Sequence, residues 1–100
     1  MLTQSLFARL EAKPGKENEV AAFLQQGLQL ANQEATTPVW FALRLGPTTF
    51  AIFDAFRDEA GRQQHLNGPI ATALMAQASN LLATPPTIEH MEVLGVKLPA

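Results

Sequence analysis

Two histidines, His65 and His90, are the side chains of this chain that ordinarily titrate near neutral pH. His65 closes the segment 50–66, FAIFDAFRDEAGRQQHL, in which an apolar strand carrying Asp54 and Phe56 turns at Arg57-Asp58 into a short helix. An imidazole so placed can accept a proton from a phenol or hydroquinone. The plainer alternative is a helix-end histidine bonded to backbone or solvent. Asp54 alternates with Phe50, Ile52 and Phe56 along the strand, where an unpaired charge is costly. It either pairs with a residue such as Arg44 on the adjacent strand, orients a pocket histidine, or faces solvent at the strand end; structural pairing is the favoured expectation. Trp40 and Arg44 share one strand face, four residues apart. Trp40 can wall an aromatic pocket or serve as ordinary core or interface, and Arg44 can anchor a substrate oxygen. Phe56 and the other phenylalanines read first as packing.

His90 stands between Glu89 and Glu92. Strand residues at i and i+2 share a face, which unites only His90 and Glu92, and two ligands make no metal site. The sequence has no phosphate-binding loop, GxGxxG turn, CxxC pair or nucleophile elbow. Nothing here binds a nucleotide cofactor by a recognisable device, and no metal site is expected.

The elements that must position these residues follow from hydrophobic periodicity. Residues 5–12 alternate, with Leu6, Ala8, Leu10 and Ala12 on one face, and read as a strand ended by Lys13-Pro14-Gly15. Residues 16–33 read as a helix with Val20, Phe23, Leu24, Gly27, Leu28 and Ala31 inward. Gly27 on that inner face suits close approach to a sheet. Residues 39–45 and 49–57 are strands joined at Gly46-Pro47-Thr48. Both faces of the second of these are apolar, so both must be covered. Asp58 caps a helix reaching Leu66, Pro69 opens another reaching about Ala83, and residues 87–98 form the last strand. The order β-α-β-β-α-β is the ferredoxin-like topology of an α+β domain, occupying residues 1–100 as one unit.

Composition narrows the function classes. Of the 100 residues 47% are hydrophobic, including six Phe and one Trp, which is generous for a small core and points to a homodimer. Net charge is −2 with no basic stripe, which argues against a nucleic-acid partner. There are no cysteines, so neither a disulfide framework nor a zinc–thiolate site is possible. No signal-like or membrane-spanning run is present, and a soluble, cytoplasmic protein is expected.

Strand, carboxylate, aromatic, helix and histidine in the order of residues 50–66 resemble the antibiotic biosynthesis monooxygenase family of small cofactor-free oxygenases and their quinol monooxygenase relatives. The resemblance covers about residues 6–96. It implies a dimeric α+β barrel in which two sheets pack face to face, with a ligand cavity between sheet and helices. It also implies a monooxygenase acting on a quinol, anthrone or related phenol with O2. His65 and Asp54 would be the catalytic pair, with Trp40, Arg44 and Phe56 as substrate contacts. Haem-degrading relatives combine a first-strand asparagine, a third-strand tryptophan and a helix histidine; this chain matches only the histidine, and with no tyrosine it has no phenolic donor. A non-catalytic barrel that binds a small apolar molecule or acts in a stress response shares the same fold.

Overall fold

The computed structural model describes residues 1–99. In chain order the elements are β1 (Gln4–Glu11), α1 (Glu17–Ala31), β2 (Val39–Arg44), β3 (Thr49–Phe56), α2 (Glu59–Leu66), α3 (Pro69–Leu81) and β4 (Thr87–Glu92). The strands form one antiparallel sheet in the order β2-β3-β1-β4, the expected ferredoxin-like arrangement.

Local chemistry explains the joints. Gly15 turns the chain from β1 into α1 with φ of 85°, a conformation that glycine adopts without steric penalty. Glu17 and Glu19 occupy the first turn of α1, where negative charge complements the helix dipole. Asp58 caps α2 as expected, its Oδ1 accepting the Gly61 N–H at 2.8 Å. Pro69 opens α3.

Three elements end two or more residues short of the sequence reading. α1 stops at Ala31, and Leu28 is exposed rather than inward. α3 stops at Leu81 because Leu82 turns extended and bridges Ala12 at the end of β1. β4 ends at Glu92 rather than running to residue 98. Its final partner is Gln4, at the start of β1, and a strand cannot outrun the neighbour that satisfies its backbone.

The helices cover one sheet face. Between them and the sheet lie Leu10, Val20, Leu24, Phe50, Ile52 and Leu74, with Trp40 and Phe23 packed alongside. Register makes Leu6, Asp54 and Trp40 neighbours on this face. Phe7, Phe53 and Phe41 line up across the other face. The Phe41 and Phe53 rings stack at 6.3 Å, while Phe41 remains half exposed. No described helix covers this side.

Candidate active site

The site lies at the sheet end where β3 finishes. β3 delivers Asp54 to the helix-covered face, flanked by Leu6 on β1 and Trp40 on β2. From the Asp58 cap, α2 brings His65 over Asp54 in its last turn. The segment between α1 and β2 supplies Glu34 and Thr37.

These side chains sandwich the imidazole between two carboxylates. His65 Nε2 lies 2.9 Å from Asp54 Oδ2, and Nδ1 lies 2.6 Å from Glu34 Oε1. Thr37 Oγ1 donates to Glu34 Oε1 at 2.8 Å, and the Phe56 ring lies 5.4 Å from the imidazole centre. Asp54 is 2% exposed and His65 6%. Burial pushes His65 towards neutrality, but hydrogen bonds and charge from Asp54 and Glu34 outweigh it and hold the imidazole above its ordinary pKa. Burial likewise raises Asp54, with the His65 hydrogen bond and charge offsetting it in part and the Glu34 charge adding to the rise. An imidazole facing a carboxylate at each nitrogen is matched best as imidazolium, donating both N–H groups.

That geometry shifts the sequence assignment of roles. With both nitrogens engaged, His65 has no lone pair to offer a ligand. Asp54 does: its Oδ1 is buried and bonds to nothing in the protein, and the same holds for Trp40 Nε1 and Glu34 Oε2. Leaving such groups unpaired costs about 1–3 kcal/mol each, which marks this corner as polar ground beyond the needs of packing. The arrangement can take a proton at Asp54 and donate a hydrogen bond from Trp40.

The expected Asp54–Arg44 pairing does not form. Arg44 lies opposite Phe50 and Trp40 opposite Asp54, so the guanidinium starts four residues, about 13 Å, down the strand. It folds over the hairpin instead, donating to Gly46 O at 3.2 Å and Pro47 O at 2.9 Å and covering the Phe50 ring. Trp40 sits beside Asp54 on the ladder, with its ring against Gly27. Phe56 is fully buried beside His65. His90 and Glu92 are exposed on β4, and among the described residues no cluster of three His, Asp or Glu side chains is arranged to hold a metal.

Glu34 and Thr37 were missed by sequence reasoning, which placed both in the connection between the helix over 16–33 and the strand that begins at residue 39. A topological signal existed. β2 and β3 are antiparallel, so residues just before β2 must lie at the end of the sheet where β3 finishes, beside Asp54.

Two depressions are relevant. One of about 500 Å³ is lined by Leu30, Gln33, Glu34, Gln64, His65 and Pro69, among others, and reaches the outer side of the imidazole. A narrower cleft of about 180 Å³ runs between α1 and β2, lined by Ala21, Leu24, Gln25, Ala42, Arg44 and Phe50 among others. Trp40 and Gly27 lie one step further along those two elements.

The fold is that of the antibiotic biosynthesis monooxygenase-like proteins. A protein from Nitrosomonas europaea provisionally described as an antibiotic biosynthesis monooxygenase superposes with a TM-score of 0.81 at 13% identity, over 92% of this chain and 90% of its own. Rv0793 from Mycobacterium tuberculosis superposes at 0.82 with 17% identity, over 94% and 97%. The chain belongs to the family of NE2512 from Nitrosomonas europaea, a protein of unknown function. NE2512 is 61% identical, with a TM-score of 0.97 over 100% of this chain and 97% of that one. No protein-family model and no curated protein matches the sequence.

Proposed function

We propose that this protein is a cofactor-independent monooxygenase that oxidises an aromatic phenol, such as a quinol or anthrone, with O2. The observation that carries the reading is the buried, unbonded Oδ1 of Asp54 beside an imidazole that fixes Oδ2. Trp40 Nε1–H orients the phenolic oxygen, and Asp54 takes the proton whose loss makes the ring electron-rich. One electron then passes to O2, and the resulting radical pair combines at ring carbon to a peroxide anion, which takes the proton back from Asp54 and becomes a hydroperoxide. For an anthrone, loss of water gives the quinone: one oxygen atom enters the product and the other leaves as water. Asp54 then takes the remaining proton from that ring carbon as the O–O bond breaks and passes it to the departing hydroxide.

The 180 Å³ cleft is smaller than the roughly 300–1,000 Å³ usual for small-molecule sites. A tricyclic substrate therefore enters along α1 and β2 by widening the cleft beside the Trp40 indole, with Arg44 at the cleft wall. The apolar row Phe7, Phe53 and Phe41 is covered by the sheet of a second copy, giving a homodimer.

Oxygen uptake tests the reading, measured over a panel of hydroquinones and anthrones with the wild type and Asp54→Asn. The expectation is turnover above autoxidation that falls roughly 10²–10⁴-fold in the variant. Turnover that survives the substitution removes Asp54 from the mechanism, and no turnover with any substrate defeats the oxygenase reading. A second reading, a non-catalytic barrel that holds a small apolar ligand, is favoured by a separate apolar basin of about 650 Å³ whose lining includes Leu2, Pro38, Val39, Val93 and Leu94.

A further inference from the structure

We propose that Glu34 is the positioning residue of this site: it fixes the orientation and charge of His65, and through it presents Asp54 Oδ1 inward. The proposal rests on the reading of Asp54 as the proton acceptor, but its physical core, a carboxylate that governs the imidazole, can be measured without substrate.

The geometry leaves the imidazole few alternatives. Its inner nitrogen is tied to Asp54 on β3 and its outer nitrogen to Glu34 on the segment before β2, so the ring is clamped between two elements other than its own helix. Glu34 is clamped in turn. Thr37 Oγ1 donates to the oxygen that faces the ring, and the Thr37 N–H donates to the Glu34 carbonyl at 3.1 Å, closing a turn around the carboxylate. The other oxygen, Oε2, fits against Gly68, where an added Cβ would lie 3.4 Å from it and 3.2 Å and 3.3 Å from the carbonyls of Gln64 and His65. A side chain at Gly68 would crowd those two carbonyls first and only touch Glu34. The Glu34 side chain is 12% exposed, at the depression that reaches His65.

Electrostatics gives the clamp a function. Asp54 and Glu34 are the charged groups acting on the ring; Thr37 and Phe56 face it without charge, and Arg62, one turn back on α2, is committed to the Ser5 and Met91 carbonyls and to Glu59. Without Glu34 the outer N–H opens onto the depression and the imidazolium keeps one counter-charge. An opposite charge at hydrogen-bond distance typically moves a pKa by about 1–3 units. An imidazole that turns neutral or rotates outward lets Asp54 Oδ2 go, and the inner oxygen loses its aim.

The test is a ¹⁵N and ¹H NMR titration of the full chain in wild type and Glu34→Gln. His65 and His90 are the chain's two histidines, so exposed His90 serves as an internal reference. In the wild type both nitrogens of His65 carry protons at pH 7. In Glu34→Gln the His65 midpoint falls by about one unit or more while His90 stays in place. A wild-type His65 with an unprotonated Nδ1 at pH 7 overturns the proposal without need of a variant, and so does an unmoved His65 midpoint in folded Glu34→Gln. With a substrate in hand, Glu34→Gln lowers kcat about tenfold or more and leaves KM in place; a raised KM at unchanged kcat also overturns it. Should the wild type oxidise no phenol, the oxygenase reading fails while the titration still decides the role of Glu34.

Discussion

An Asp54→Asn variant keeps the size and planarity of the side chain and removes only its ionisation. The wild-type carboxylate makes a hydrogen bond of 2.9 Å to His65, worth about 1.5–3 kcal/mol when one partner is charged. The amide keeps an acceptor for the same N–H, still a bond to a charged donor, so the substitution forfeits at most the spread of that range, roughly 1–1.5 kcal/mol of hydrogen bonding. Against this stands the cost of ionising a side chain 2% exposed between Leu6 and Trp40. Burial raises Asp54 above the ordinary 3.8, and His65 offsets the rise only in part, so the ionised group detracts from stability at neutral pH. Glu34 still balances the imidazolium in the variant. The net change at pH 7.5 is therefore within about 1 kcal/mol, or roughly 4–8 °C in Tm for a domain of this size, although turnover collapses.

The pH dependence fixes the sign. A raised folded pKa means that folding takes up a proton at Asp54, a contribution fully present below 3.8 and lost as pH rises through the folded value. Asparagine has no such contribution. Urea denaturation at pH 4.5 and 7.5 should find the variant weaker relative to wild type at the acid end and closest to it, or above it, at pH 7.5. A loss of more than about 3 kcal/mol at pH 7.5, the usual cost of breaking a buried ion pair, would refute the reasoning and make Asp54 a structural anchor.

His65 contributes a second pH signature of the same sign. Its raised pKa gives stability that is full below the ordinary 6.5 and declines above it. Thermal melts from pH 6 to 9 should slope downward in wild type and flatten in His65→Asn; equal slopes would remove the imidazolium from the folded state. At Gly27, an alanine Cβ would meet Cη2 and Cζ2 of Trp40 at 3.4 Å, contact without overlap, while helix propensity improves by about 1 kcal/mol. Gly27→Ala should raise Tm and, by pinning the indole, slow turnover of tricyclic substrates; a lower Tm would show that the approach is already too tight. On the open sheet face, sedimentation should find the wild type as a dimer and Phe41→Glu shifted to monomer with unchanged far-UV dichroism. A wild type that sediments as a monomer at all concentrations removes the second copy.

The fold was legible where local and tertiary demands coincide. Alternation in β1, the Pro14-Gly15 turn and the Asp58 cap each act through neighbouring residues, and each appears in place. The end of β4 depends instead on where β1 begins, a pairing written in a segment more than eighty residues away. Asp54 announced itself as a carboxylate among phenylalanines with Arg44 or a pocket histidine as partner, and the choice between them was not legible, because the histidine arrives on a helix whose docking is set by packing. Part of the error was avoidable: the turn at 46–48 places Arg44 opposite Phe50, and the same ladder count puts Trp40, not Arg44, beside Asp54.

Glu34 shows why a site of this kind is harder to read than the fold that carries it. By periodicity the residue is the frayed end of a helix, and its side chain has no apolar pattern to betray it. Its place follows from topology alone: an antiparallel β2–β3 pair brings the entry of one strand to the exit of the other. The stretch that breaks α1 therefore abuts the stretch that holds Asp54, and α2, launched from the same exit, must cross between them. A carboxylate on each side and a histidine on the crossing helix are consequences of that single corner of the fold. A search for acid–base sites in ferredoxin-like domains gains most by pairing residues across strand ends, before any pairing along a strand face.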